Sequence, residues 1–195
     1  MKRQSKGTPA ADVIAHLPPG TLSGIVYLGS FFSTENLGQY LTTLCVEKVQ
    51  VLVSPESDAD AIRANIVAFH DAIFDLLSDS NASELRRLDR WDIQSTWLGY
   101  AWNQTTADRR YVASRKQDPE PLFALGKTEF PVLVVHGNED MLVSCENVVK
   151  EAKKHFTNLE VHIMTGSDGN HAPFYENPGE VMVHIGSFVK KIQVS

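Results

Sequence analysis

Three short runs of apolar residues stand out along the chain because they are rich in β-branched side chains. They occupy residues 24–29, 131–136 and 159–164. Each run is too short for a typical helix, and its composition predicts a strand. A continuous apolar run further indicates a strand that is buried on both faces, as in the interior of a parallel sheet.

Apolar residues at helical spacing lie between and after these strands. We predict helices at residues 8–17 and 143–155, and a last helix that begins at Pro178. Thr8 can cap the first helix, and Pro9 suits its first turn because proline lacks an N–H that would stay unpaired there. Helices that alternate with buried strands indicate an α/β fold with a parallel sheet.

The middle of the chain, residues 31–120, has a different pattern. Its apolar residues recur mainly at helical spacing, as along residues 58–78, and strand-like runs are scarce. Residues 46–53 are the exception, because three valines alternate there as they would in a strand. We therefore predict two regions: an α/β core formed by residues 1–30 and 121–195, and a mostly helical insert at 31–120.

Two features of the predicted insert bear on its role. The polar stretch Arg109–Pro121 is the candidate hinge between the insert and the sheet. Trp91, Trp97 and Trp102 recur at helical spacing and predict an apolar core of the insert. They could also line an apolar substrate site, because small-molecule pockets are largely hydrophobic and aromatic.

Composition and charge narrow the class of protein. Of the 195 residues, 43% are hydrophobic and 22% are charged, as in ordinary globular proteins. The net charge of −6 provides no basic field, so we expect no nucleic-acid partner. No apolar stretch has the length of a membrane span, so none is expected.

Short motifs bear on the possible cofactors and on the cellular compartment. Cys45 and Cys145 lack the spacing of a zinc site, and no glycine-rich phosphate loop occurs, so we expect no metal and no organic cofactor. The few cysteines indicate a reducing compartment. The basic start at residues 1–6 lacks the apolar stretch of a secretory signal, so we predict a cytoplasmic protein.

Polar residues follow two of the predicted strands directly. Asp140 comes shortly after the strand at 131–136, and His171 follows the strand at 159–164. The carboxyl ends of parallel strands meet at one edge of a sheet, where ligands bind. A carboxylate that accepts a hydrogen bond from an imidazole fixes its tautomer, and the neutral ring can then take a proton from a serine hydroxyl. The sequence therefore predicts an acid–histidine pair at this edge.

Simpler interpretations of these residues stay open. Asp140 alone could be a turn or capping residue, and His171 alone could be a loop histidine without a catalytic role. Asp168 and Glu139 are alternative acids, although each is less well placed. His136, at a strand end, is predicted to pack or to form a hydrogen bond rather than to bind a ligand.

Two segments resemble motifs of the α/β-hydrolase family, the esterase- and lipase-like serine hydrolases. Residues 131–140, Pro-Val-Leu-Val-Val-His-Gly-Asn-Glu-Asp, resemble the acid-bearing segment, and residues 169–174, Gly-Asn-His-Ala-Pro-Phe, resemble the histidine loop. The resemblance covers residues 131–195 and resumes at residues 20–30. It implies the C-terminal half of an α/β-hydrolase parallel sheet, with residues 31–120 as the inserted helical cap.

The family resemblance also implies a catalytic triad. In this family the serine comes first in the chain, then the acid, then the histidine, and the serine lies in a G-x-S-x-G turn. The matching positions are Ser5 as nucleophile, Asp140 as the acid and His171 as the base. The backbone N–H of Lys6 would be one donor of the oxyanion hole.

The start of the chain departs from the family pattern. Gly7 matches the second glycine of the motif, whereas Arg3 stands at the position of the first. The family also has strands and helices before the nucleophile, on the order of 100 residues by the size of βαβ units. We therefore expect this sequence to be an N-terminally truncated α/β-hydrolase whose exposed sheet edge could pair with another copy.

Two hypotheses for the function follow. The first is hydrolysis of a small, apolar, ester-like substrate through an acyl-enzyme, with Ser5, Asp140 and His171 as the triad and without a cofactor. The second is a catalytically inactive remnant that binds a ligand or a partner chain. Lyase or other chemistry by the same triad stays open as a third reading, because fold does not fix function.

Overall fold

The structure, a computed structural model, describes residues 10–35, 37–54, 56–74 and 116–194. Within these residues the centre of the fold is a parallel sheet in the order β1-β2-β3. Its strands are β1 (Ile25–Leu28), β2 (Val132–Gly137) and β3 (Leu159–Met164). All three agree with the strands predicted from the apolar runs, which confirms the predicted α/β class.

The central strand β2 is buried along its whole length. Alternate side chains of a strand point to opposite faces of the sheet. Val132 and Val134 accordingly join one core cluster, while Leu133 and Val135 join a second cluster that contains Phe188. The continuous apolar run of β2 is explained by these two cores, because neither face of the strand meets water.

Helices cover the described sheet and are numbered here in chain order. They are α1 (Ala10–His16), α2 (Thr43–Val53), α3 (Ala59–Phe74), α4 (Glu120–Gly126), α5 (Cys145–His155), α6 (Pro173–Glu176) and α7 (Pro178–Val194). The predicted helices at 143–155 and from Pro178 are confirmed. The described part of the predicted helix at 8–17 is helical as well. None of the described helices has both the length and the apolarity needed to cross a membrane.

The end of α5 near the predicted acid is well defined. Ser144 accepts a hydrogen bond from the Asn147 N–H and so caps the first turn. Val148 and Ala152 lie on the buried side of this helix and pack into the first core cluster. The cap and the apolar stripe together fix where α5 begins and how it faces the sheet.

The strand-like alternation at residues 46–53 does not form a strand. These residues lie in helix α2, whose first turn is capped by Thr42 through the Cys45 N–H at 3.1 Å. Val49 and Val53 are four residues apart and share one helix face, and Val49 packs against the core. An alternation of three valines is too short to distinguish a strand from a helix that is capped at its start.

Helix α4 begins at the end of the polar stretch Arg109–Pro121, where the sequence predicts a hinge and no helix. Of that stretch, residues 109–115 lie outside the described residues. Leu122 and Phe123 of α4 are buried in the same cluster as β2, so the chain returns to the core directly after Pro119.

Part of the predicted insert contacts the sheet. Phe32, Tyr40 and Cys45 belong to the same buried cluster as Val132 and Val134. The three tryptophans of the insert lie outside the described residues. The boundaries of core and insert therefore stay a prediction.

Candidate active site

Asp140 lies in the turn between β2 and α5, and its side chain is fully buried. Its Oδ1 atom accepts hydrogen bonds from the backbone N–H groups of Leu142, at 2.8 Å, and Val143, at 2.9 Å. Hydrogen bonds from backbone N–H groups to a carboxylate are strong and directional. They hold Asp140 in one orientation and leave its second oxygen for another partner.

That partner is His171, which follows the short turn after β3. The His171 Nδ1 atom lies 2.9 Å from Asp140 Oδ2, although 31 residues separate the two positions. Because a carboxylate oxygen only accepts, Nδ1 carries the proton and Nε2 of the neutral ring is a proton acceptor. The His171 side chain is 27% exposed, so the ring is anchored at one end and accessible in part.

Two glycines allow the histidine loop to approach the strand ends. A Cβ atom at Gly137 would lie 2.0 Å from the Gly169 carbonyl oxygen, and one at Gly29 would lie 2.1 Å from that of His171. Gly29 also has a φ of +54°, a conformation that favours glycine. The Glu139 N–H donates to the Gly169 carbonyl at 2.8 Å. The sequence showed that the strand ends in glycine but not this close packing.

A second histidine lies behind the carboxylate. The His136 side chain is fully buried, and its Nε2 atom lies 3.7 Å from Asp140 Oδ2. Its Nδ1 atom donates to the Gly137 carbonyl at 3.0 Å. Burial lowers the pKa of the His136 imidazole, while the Asp140 carboxylate acts in the opposite direction. The sequence predicts that His136 packs or forms a hydrogen bond, and the bond to Gly137 agrees with this, whereas its proximity to Asp140 was not predicted.

The two cysteines lie near the same carboxylate. Burial, followed by the charge of Asp140, raises the pKa of the Cys45 thiol to about 11 and also raises the pKa of Cys145. Both are free thiols, with Cys45 buried and Cys145 half-buried. A thiol with a raised pKa stays protonated at neutral pH and is a poor nucleophile. Neither cysteine is therefore suited to replace a serine nucleophile.

The alternative acids have other partners. Asp168 accepts a hydrogen bond from the Asn177 amide at 3.0 Å, and Glu139 accepts one from the Asn138 amide at 3.1 Å. The part of the chain that the structure describes has no group of three histidine, cysteine, aspartate or glutamate residues that could hold a metal. Ser5 and Lys6 lie outside the described residues.

Comparison with solved structures identifies the fold. Esterase RhEst1 from Rhodococcus sp. ECU1013 is similar with a TM-score of 0.75 at 20% identity, over 96% of this chain and 63% of the esterase. A putative aryl esterase from Burkholderia cenocepacia has a TM-score of 0.72 at 20% identity, over 98% of this chain and 63% of that chain. MGS-M2, an α/β-hydrolase enzyme from a Medee basin deep-sea metagenome library, has a TM-score of 0.59 at 16% identity, over 94% and 61%.

The chain therefore has the α/β-hydrolase fold, which confirms the resemblance seen in its sequence. It spans 63% of the length of the first two esterases, so it corresponds to part of that fold. No model of a protein family matches the sequence. A comparison with curated proteins also finds no match.

Proposed function

We propose that the chain is a serine hydrolase that cleaves a small ester-like substrate through Ser5, His171 and Asp140. The observation that supports this proposal is the 2.9 Å contact between Asp140 Oδ2 and His171 Nδ1. A buried acid on Nδ1 makes Nε2 the proton acceptor and stabilises the ring when it becomes charged. This is the arrangement that a serine hydroxyl needs to become a nucleophile.

In the proposed reaction, Ser5 attacks the ester carbonyl while its hydroxyl proton passes to His171 Nε2. The Lys6 N–H donates to the oxygen that becomes negative in the tetrahedral intermediate. His171 then gives its proton to the departing alcohol, which leaves the acyl group on Ser5. A water molecule attacks this acyl-enzyme with His171 again as base, and the acid product leaves with Ser5 restored.

We further propose that the substrate is apolar. Met141, directly after the acid, is 45% exposed, and Phe174, three residues after His171, is 49% exposed. Large apolar side chains on the surface near both residues favour an apolar ligand, because small-molecule sites are mostly hydrophobic. Two of the similar structures are an esterase and a putative aryl esterase, which supports an ester as the substrate.

Three further proposals concern the cap, the cellular compartment and self-association. Residues 31–120 form a cap over an α/β core, as the family resemblance implies. The chain is cytoplasmic, which is supported by the two free thiols. Strand β1, at the edge of the described sheet, pairs with another copy of the chain, because an edge strand offers unpaired backbone groups.

Intact-mass analysis after treatment with a fluorophosphonate tests the hydrolase proposal. We expect one added phosphonyl group on the unmodified chain and none on Ser5→Ala or His171→Ala. Ser23→Ala, which removes an exposed serine elsewhere, should label like the unmodified chain. A folded chain that stays unlabelled would contradict the proposal and favour the inactive, ligand- or partner-binding alternative.

A further inference from the structure

One oxygen of Asp140 lies between two imidazole rings. The Oδ2 atom is 2.9 Å from His171 Nδ1 and 3.7 Å from His136 Nε2. The side chains of Asp140 and His136 are both fully buried. The other carboxylate oxygen is occupied by the Leu142 and Val143 N–H groups, so the two rings meet the carboxylate at the same atom.

The tautomer of His136 follows from its other nitrogen. Nδ1 lies 3.0 Å from the Gly137 carbonyl oxygen, which can only accept, so Nδ1 carries the proton. The neutral ring then has a lone pair on Nε2. Among the residues that the structure describes, Nε2 has no hydrogen-bond partner. His136 therefore turns a nitrogen without a proton toward a carboxylate oxygen.

We propose that His136 is a positioning residue for the Asp140–His171 pair: as the neutral Nδ1–H tautomer it leaves Asp140 Oδ2 to His171 alone, and the two rings do not both carry a positive charge. The coupling between the rings depends only on their geometry. Its value for catalysis rests on the proposed hydrolase function.

Charge explains why the two rings are not both positively charged. A single carboxylate can neutralise one cation, and a second cation buried beside it would be left uncompensated. The groups that face His136 act accordingly: burial lowers its pKa most, Asp140 and the Gly137 carbonyl raise it, and His171 lowers it.

Hydrogen-bond geometry explains the value of the bare nitrogen. If His136 donated a proton to Oδ2, that oxygen would be shared between two donors. The bond to His171 would then weaken, and so would the support for the charged His171 ring during turnover. A neutral ring whose Nε2 atom carries no proton fills the space beside Asp140 without this competition.

Imidazole ¹⁵N NMR on the full chain tests the coupling without any need for activity. At neutral pH we expect the His136 signals of the Nδ1–H tautomer. In His171→Ala the midpoint of the His136 titration should move to higher pH, because His171 no longer lowers the pKa of His136. His184→Ala, which removes a histidine on α7 that the Asp140 carboxylate does not contact, should leave that midpoint in place.

A second variant tests whether Asp140 Oδ2 accepts a hydrogen bond from His171 alone. His136→Gln places an amide near the position of Nε2, and its N–H can donate to Asp140. We expect the Nδ1–H proton signal of His171 to move upfield, as a weaker hydrogen bond requires. Amide spectra of all variants establish that they are folded, and His171→Asn replaces His171→Ala if the alanine variant is not.

The outcomes separate the two proposals. An Nε2–H tautomer, an unmoved His136 midpoint in the folded His171 variant, or an unmoved His171 proton signal in His136→Gln would each overturn the inference. If all three results are as expected but Ser5 does not react with the fluorophosphonate, the coupled pair stands and the proposed hydrolase function fails.

Discussion

Two pairs of histidines in this chain show how the surroundings of an imidazole decide its role. His136 and His171 both approach the same oxygen of the buried Asp140. His162 of β3 and His184 of α7 instead stack directly on each other, with ring centroids 3.6 Å apart. The first pair shares a buried carboxylate oxygen, whereas the rings of the second pair are in direct contact.

The carboxylates near the two pairs differ in how they are held. Asp140 is fixed by two backbone N–H groups and has no exposed side-chain surface. Glu180 lies 3.8 Å from His184, and its side chain is 50% exposed. Exposed ion pairs contribute little because water screens them and both side chains move. A buried carboxylate that is held by backbone donors can therefore fix the orientation and the tautomer of a nearby histidine.

The largest expected effect is on the labelling rate when the charge of Asp140, but not that of Glu180, is removed. Asp140→Asn keeps an oxygen for the Leu142 and Val143 N–H groups, but its amide N–H₂ cannot accept from His171 Nδ1. We expect the fluorophosphonate labelling rate to fall by roughly 1,000- to 10,000-fold with the fold intact, because the histidine adopts the wrong tautomer. Glu180→Gln is the matched control and should label at the rate of the unmodified chain. Equal rates for both variants would end the triad assignment and the comparison with it.

A smaller effect is expected where the histidine loop meets the sheet. Gly137→Ala forces the backbone at Gly169 to move, because the new Cβ would lie 2.0 Å from a carbonyl oxygen. We expect a loss of about 1–3 kcal/mol in the free energy of unfolding, as for other overpacked sites. Gly186→Ala in α7 meets nothing within 4 Å and should stabilise by about 0.5–1 kcal/mol. Urea denaturation measures both, and an unchanged Gly137→Ala midpoint would mean that the loop does not depend on this contact.

Sequence patterns predicted the buried site better than its surroundings. The apolar run of β2 and the spacing of Asp140 and His171 are local features, and parallel strands bring their carboxyl ends together wherever such features follow them. The three alternating valines of α2 suggested a strand although the segment is helical. Such a short alternation carries little information beside a threonine that can cap a helix. Helix α4 was missed because its apolar residues directly follow a polar, proline-containing stretch.

Contacts between distant backbone segments were beyond the reach of sequence reasoning. The amino-acid sequence does not show that Gly29 lies against the carbonyl of His171, or that His136 approaches the same Asp140 oxygen as His171 does. Both facts depend on the register of β1, β2 and β3, which places the strand ends side by side. The sequence could predict that Asp140 and His171 lie close together, whereas the contacts of Gly29 and His136 became visible only in the folded chain.

The smallest expected effect concerns the half-buried pair, His162 and His184, and its pH dependence. Partial burial, followed by the nearby His184, lowers the pKa of His162, while Glu160 and Glu180 act in the opposite direction. An unfolded histidine titrates near 6.5, so the folded chain resists protonation more than the unfolded chain does. The contribution of this group to stability is therefore present above about pH 6.5 and is lost as the pH falls through the lowered pKa.

His184→Gln should reduce that loss, because a neutral amide replaces the imidazole that lowers the pKa of His162. We expect the variant to lose less stability than the unmodified chain between about pH 7.5 and about pH 5, by under about 1 kcal/mol because the site is half-exposed. Urea midpoints at both pH values measure the difference, with His16→Gln on the exposed face of α1 as the control. If His184→Gln and the unmodified chain lose the same stability, stacking without a shared buried carboxylate does not couple the two rings. The contrast with the pair on Asp140 would then be complete rather than one of degree.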